Sequence, residues 1–187
     1  MNNADLISLR SASIGQPLPA FEPREPARRV ATDDSARADL EQLLSDLTGA
    51  ESAIYAITRE GLHDAAERKF ARLHALLDEN FLDLGIRLTR LAARSRELGC
   101  EPYTGHGDRV PAQRKRVEES EREPSMIREL LGGHEAMSGK LRTASAASAD
   151  RFRDRATAEL LADLASQHER DAFMLRALLW EVQSNPS

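Results

Sequence analysis

The chain has 187 residues, a formal net charge of −5, and 41% hydrophobic against 30% charged residues. That length suits one domain with a sizeable core, and that mixture suits a soluble globular fold rather than a disordered chain. An acidic balance argues against bulk attraction to nucleic acid, no apolar run approaches a membrane span, and the start MNNADLISLR lacks both the basic and the apolar parts of a secretory signal. A single cysteine, Cys100, permits no internal disulfide, which fits a reducing cytoplasm, and as a lone residue after a helix-ending glycine it reads as incidental.

Residues 1–33 hold Pro17, Pro19, Pro23 and Pro26, half of the eight prolines, and are expected to form an extended or disordered arm. From Asp34 the pattern changes. Leu40, Leu43, Leu47, Ile54 and Ile57 recur at helical spacing and predict an amphipathic helix stopping near Gly61. A second helix is expected from about Asp64 to Leu98, with Phe70, Leu73, Leu77, Phe81, Leu84, Leu88 and Leu91 as its stripe, ended by Gly99 and Pro102. Residues 101–124 are a polar connection, long for a compact bundle, in which residues 112–120 form a short surface helix after Pro111.

Ser125 is the expected cap of the third helix, whose seam runs Ile127, Leu130, His134, Met137, Leu141 and Ala144. The fourth is expected over about residues 157–183, with Leu161, Ala165, His168, Ala172, Leu175, Leu179 and Val182 on one seam. The fold class is therefore all-α: a ferritin-like four-helix bundle over residues 34–183, with one long crossover between its second and third helices and a short tail at 184–187.

Within the second helix His74 and Asp78 stand one turn apart on one face, where together they can bind a cation. Around them lie Ala53-Ile-Tyr-Ala-Ile-Thr-Arg, Phe70, Leu73-His74-Ala-Leu-Leu-Asp78, Arg94 and Leu98-Gly99. This set resembles the Dps family, mini-ferritins that form hollow twelve-subunit shells, oxidise iron and protect DNA in stressed bacteria. The resemblance spans residues 40–182 and is gapless over 53–99.

What it implies is specific. In that family the ferroxidase site lies between two subunits, and carried over position by position its ligands fall on His74 and Asp78 but also on Leu62, Thr89 and Ala93. Imidazole and carboxylate suit Fe(II); leucine and alanine offer it nothing. His63 neighbours Leu62, but one step along a helix turns a side chain by about 100°, so it replaces the missing ligand only if the helix ends near Gly61. Iron binding through His74, Asp78 and His63 is thus expected to be weak or residual.

Three functions stay open: a stress-protecting shell with slow ferroxidase activity, a non-catalytic shell or DNA-binding structural protein, and a ferritin-like module whose interface serves another partner. The resemblance also implies a cytoplasmic, nucleoid-associated homo-oligomer, most simply a dodecamer.

His134 and His168 sit on their seams, each beside a glutamate, Glu135 and Glu169. A di-iron bundle core would need Glu-x-x-His, yet the nearest preceding acids, Glu129 and Asp163, stand five residues before each histidine, so paired core polar groups are expected instead. Trp180 is expected to pack on a neighbouring helix or subunit. For DNA, Arg114-Lys115-Arg116 is the densest basic cluster, but Glu118, Glu119 and Glu121 follow it. Arg24, Arg28 and Arg29 in the arm are offset by acids, and the arm has no lysine. Contact with DNA is therefore expected to be weak and salt-sensitive.

Overall fold

A computed structural model describes residues 34–67, 70–100 and 119–184, which form α1 (Asp34–Glu67), α2 (Ala71–Glu97), α3 (Glu119–Asp150) and α4 (Arg155–Ser184). No strand occurs among the described residues. The arm with Arg24, Arg28 and Arg29, residues 101–118 of the expected crossover with the Arg114-Lys115-Arg116 cluster, and the tail beyond Ser184 lie outside them, while residues 119–124 of that expected crossover belong to α3.

Topology follows from one end of the bundle. Leu40 and Leu44 near the start of α1 cluster with Leu98 after α2, Ala147 near the end of α3 and Phe152 before α4. The starts of α1 and α4 and the ends of α2 and α3 therefore meet, so α2 and α3 run in the same direction. The connection between them leaves at one end and re-enters at the other, which is the single long crossover of a ferritin-like bundle. α1 packs most closely on α2, and α3 on α4.

The predicted stripes supply the core. Leu44, Leu73, Leu77, Leu84, Leu91, Ile127, Leu141, Leu161 and Leu175 are fully buried, each stabilising the fold by roughly 1.5–3 kcal/mol relative to exposure. Leu44 belongs to the end cluster above, and the others divide into two apolar clusters. One gathers Leu47, Leu84, Leu91, Met137, Leu141 and Leu161; the other gathers Leu73, Leu77, Ile127, Leu130, Leu175 and Leu178.

Helix boundaries differ from expectation at two places. α1 does not stop at Gly61 but continues to Glu67, so Asp64 belongs to α1 and not to α2. Gly61 is a contact point instead: a Cβ there would stand 3.2 Å from Leu77 Cδ1 and 3.6 Å from Leu130 Cδ1, and the bare backbone lets three helices close in. α3 begins at Glu119, so Ser125 lies inside it rather than at its cap, and Pro124 is accommodated in its early turns at the loss of one backbone hydrogen bond.

The expected stop at Gly99 is present. Its φ of 71° is left-handed, the Gly99 N–H donates to Arg96 O and the Cys100 N–H to Ser95 O, the paired bonds of a Schellman end. Arg37 of α1 then donates to the carbonyls of Leu98 and Gly99 at 3.2 and 3.3 Å. Cys100 is buried there, and burial followed by the nearby Glu41 pushes its thiol up, so it is a poor nucleophile.

The start of α4 is fixed by charge. Asp154 accepts a hydrogen bond from the Thr157 backbone N–H at 3.1 Å and caps the helix. Both oxygens of the same carboxylate also accept from Arg94 Nη2 at 2.8 Å, Thr157 Oγ1 donates to Asp154 Oδ2, and Arg94 Nε donates to Thr157 Oγ1 at 2.7 Å. Burial alone would push Asp154 up, but hydrogen bonds from Thr157 and Arg94 outweigh it and hold the carboxyl below its usual range.

Candidate metal-binding sites

The outward face of α2 carries the residues that the sequence points to. His74 is half-buried and Asp78 exposed, one turn apart. Thr89 is exposed with its hydroxyl donating back to Gly85 O at 3.0 Å, and Ala93 is half-buried. At about 100° per residue these four positions share an arc of roughly 100°.

Leu82 and Ile86 lie on or beside that arc and are 65% and 59% exposed, among the few large apolar side chains left in the open. The α1 part of the set is settled by packing. Leu62 joins the apolar cluster of Leu73 and Leu77, whereas His63 is exposed on the same unbroken helix. The condition under which His63 would replace Leu62, a helix end near Gly61, is not met.

Trp180, expected on a neighbouring helix or subunit, is 70% exposed. With Phe173 and Met174 it leaves a second apolar surface on α4.

A second polar site is enclosed by the bundle. Glu51 of α1, Arg87 of α2, His134 of α3, and His168 and Asp171 of α4 are all buried, where apolar neighbours stand along the same seams. His134 Nδ1 and His168 Nδ1 are 3.0 Å apart, and His168 Nε2 is 2.9 Å from Glu51 Oε2. Asp171 Oδ2 lies 3.4 Å from His134 Nδ1 and 2.6 Å from Arg87 Nη2, and Arg87 Nε donates to Gln167 Oε1 at 3.1 Å.

Charge and burial set the protonation. Burial first, then His168 and Arg87, push His134 down to about 3, so its ring is neutral at physiological pH. Burial pushes the Asp171 carboxyl above its usual range, although Arg87 pulls the other way. Glu51 Oε1, Arg87 Nη1 and His134 Nε2 have no hydrogen-bond partner, and each such buried group costs on the order of 1–3 kcal/mol.

No acid stands three residues before either histidine, where Leu131 and Ala165 are found. The structure pairs His168 with Glu51, on another helix, and sets His134 against His168 and against Asp171, three residues after His168. The signal was present in a different form: Glu51 falls between Leu47 and Ile54, and Arg87 between Leu84 and Leu91, at spacings that bury them.

Comparison with known proteins agrees with this architecture. No protein-family model matches the sequence. An uncharacterized low temperature-induced protein of Nostoc sp. is 27% identical over 151 residues, covering 79% of this chain and 83% of that protein, and its homologue in Anabaena variabilis matches equally.

Among solved structures, a Dps protein of Vibrio cholerae, described as a member of a superfamily of ferritin-like diiron-carboxylate proteins, is similar with a TM-score of 0.67 at 23% identity, covering 84% of this chain and 99% of that one. DpsC of Streptomyces coelicolor gives 0.67 at 21% identity, over 83% and 96% of the two chains. The bacterioferritin of Desulfovibrio desulfuricans, whose structure reports a diiron site, gives 0.72 at 14% identity over 86% of each. The chain has the ferritin-like fold that Dps proteins and bacterioferritin share.

Proposed function

We propose that this protein is a Dps-like mini-ferritin subunit that assembles through the outward face of α2 and handles iron there through a reduced ligand set, in the service of oxidative-stress or DNA protection. The observation that carries the reading is the coincidence of His74 and Asp78 with Leu82 and Ile86 on one exposed helical face. Large exposed apolar side chains mark a surface that associates, and a metal site at such a contact would draw donors from both copies.

The chemistry such a site supports is limited. Fe(II) is the substrate, and the chain offers it one imidazole and one carboxylate where the resemblance implies three further ligands at Leu62, Thr89 and Ala93. Leucine and alanine cannot coordinate, and the Thr89 hydroxyl is engaged with its own helix. Oxidation by peroxide or oxygen is therefore slow, and shell formation is the better supported half of the function. No described helix is long and apolar enough to cross a membrane, consistent with a cytoplasmic shell, most simply of twelve subunits.

The non-catalytic alternative gains weight from Leu62, whose side chain belongs to the α1–α2 apolar cluster and not to a polar pocket. Fe(II) oxidation in air and with peroxide, measured on a sample whose mass is read by light scattering, separates the readings. Slow oxidation by a large oligomer, reduced further in His74→Ala, supports the proposal. A large oligomer with no oxidation above buffer supports the structural shell, and a stable monomer overturns both.

A further inference from the structure

We infer that the buried His134–His168–Asp171 cluster is a binding site for one divalent transition-metal ion per chain, with Glu51 orienting His168 and Arg87 ion-paired to Asp171. The inference is independent of the α2 face and of iron oxidation.

Three donor atoms lie close together. His134 Nδ1, His168 Nδ1 and a carboxylate oxygen of Asp171 all lie within 4.8 Å of one another. Two of the separations are 3.0 Å between the Nδ1 atoms and 3.4 Å from His134 Nδ1 to Asp171 Oδ2. With metal–nitrogen bonds of about 2.0–2.1 Å, adjacent donors in octahedral or tetrahedral coordination stand roughly 2.9–3.4 Å apart. A hydrogen bond between the rings explains the first distance as well, but a single proton satisfies only one pair of atoms, whereas a cation satisfies all three.

The tautomers make the site available without loss of a proton. Glu51 accepts the proton carried by His168 Nε2, which leaves His168 Nδ1 a bare lone pair facing the cluster. The facing His134 Nδ1 must then carry its ring proton when the two rings bond each other. Ion binding moves that proton to His134 Nε2, an atom with no partner in the present arrangement. In the metal-bound form each ring presents a bare Nδ1, as coordination demands.

The donor set restricts the ion. Two imidazoles and one carboxylate with positions left open suit Fe(II), Zn(II) or Co(II) and not Ca(II) or Mg(II), which favour all-oxygen shells. It also restricts the number. Di-iron bundles draw a Glu from each of two helices and Glu-x-x-His from the other two. Here α2 contributes the cation Arg87, ion-paired to Asp171, and Glu51 is turned to a histidine. Arg87 neutralises a carboxylate as a second ion would and repels one at the same place.

Cobalt(II) reads the site directly through its visible absorption. The full chain is titrated with Co(II), added to the native protein or present during refolding from urea because the cluster is sealed. The expected result is one Co(II) per chain with d–d bands, displaced by Zn(II), unchanged in His74→Ala and lost in His134→Gln and His168→Gln. Circular dichroism establishes which variants are folded. If neither glutamine variant folds, X-ray absorption of the Zn(II)-loaded wild type decides, with two imidazoles at the ion expected. No bands from refolded wild type, two ions per chain in His74→Ala, bands that persist in folded His134→Gln or vanish in His74→Ala, or fewer than two imidazoles at zinc would each overturn the inference. None of these results bears on whether the α2 face oxidises iron.

Discussion

Asp154 offers the sharpest test of how the bundle is held at its closed end. It caps α4 through the Thr157 N–H and is ion-paired to Arg94, with the Asp154 and Arg94 side chains 2% and 10% exposed. Asp154→Ala removes both contributions. Breaking a buried pair costs roughly 3–5 kcal/mol because the surviving charge is stranded, and a lost cap costs roughly 0.5–2 kcal/mol. The two share one carboxylate, so they are not summed.

Arg94 also retains Glu97, at 2.8 Å and largely in solvent, which places the expected loss near the lower bound, about 3 kcal/mol. For a chain of this size that corresponds to a fall in Tm of about 6–12 °C. Asp154→Asn keeps a capping oxygen and loses only the charge, so it should fall between Asp154→Ala and wild type. Urea and thermal unfolding at one fixed protein concentration make the comparison, since assembly shifts apparent stability.

The pH dependence has a definite sign. The folded-state pKa of Asp154 is depressed, so its stabilisation is fully present above the ordinary aspartate value of 3.8 and is lost as pH falls through the lower folded value. The gap between wild type and Asp154→Asn should therefore be constant from neutral pH down to about 5 and close below it. A loss under about 0.5 kcal/mol for Asp154→Ala at pH 7, or a gap that widens in acid, would refute the buried-pair argument.

Three further outcomes are expected. Leu82→Glu with Ile86→Glu should shift the light-scattering mass toward smaller species, and an unchanged mass would move the interface away from α2, with the Phe173–Trp180 surface next in line. Combining Leu62→His, Thr89→Asp and Ala93→Glu should raise the Fe(II) oxidation rate at some expense in stability, because Leu62 is part of a packed cluster; stopped-flow absorbance reads the rate and melting reads the expense. DNA affinity in gel shifts should be low and should fall steeply between low and physiological salt. Removing residues 1–33 should change it little and neutralising Arg114, Lys115 and Arg116 should lower it more, whereas tight binding that vanishes with the arm would make Arg24, Arg28 and Arg29 the anchor.

The helices were legible because their stripes repeat: every residue named on the α3 seam is buried, His134 among them. Their ends were legible only where local chemistry decides. Gly99 ends α2 because its left-handed φ favours glycine, and that is a property of the residue. Gly61 was misread because the same residue type serves there as a point of close approach to Leu77 and Leu130, a tertiary fact that no local rule contains. The α2 face was named by position, and its exposure could only be seen once the bundle closed. The core cluster was half seen. Both histidines were placed inside, but the search ran along single helices, whereas Glu51, Arg87 and Asp171 complete the cluster from three helices.

The two polar sites differ in what the bundle can tolerate. On the α2 face an apolar residue at a ligand position, Ala93, costs nothing within the chain, since solvent or a second copy covers it, while Leu62 of α1 packs in the apolar cluster of Leu73 and Leu77. In the core, any one of the five side chains constrains the rest. Glu51 and Asp171 bring two potential negative charges and Arg87 one positive into a region where His134 is held neutral. Arg87 matches only Asp171 directly, and Glu51 rests on a single hydrogen bond from His168 with its second oxygen unpaired. The core holds two imidazoles and a carboxylate within 4.8 Å of one another, whereas the α2 face offers one imidazole and one carboxylate, and this is why the donors enclosed by the helices are the stronger claim to a metal in this chain.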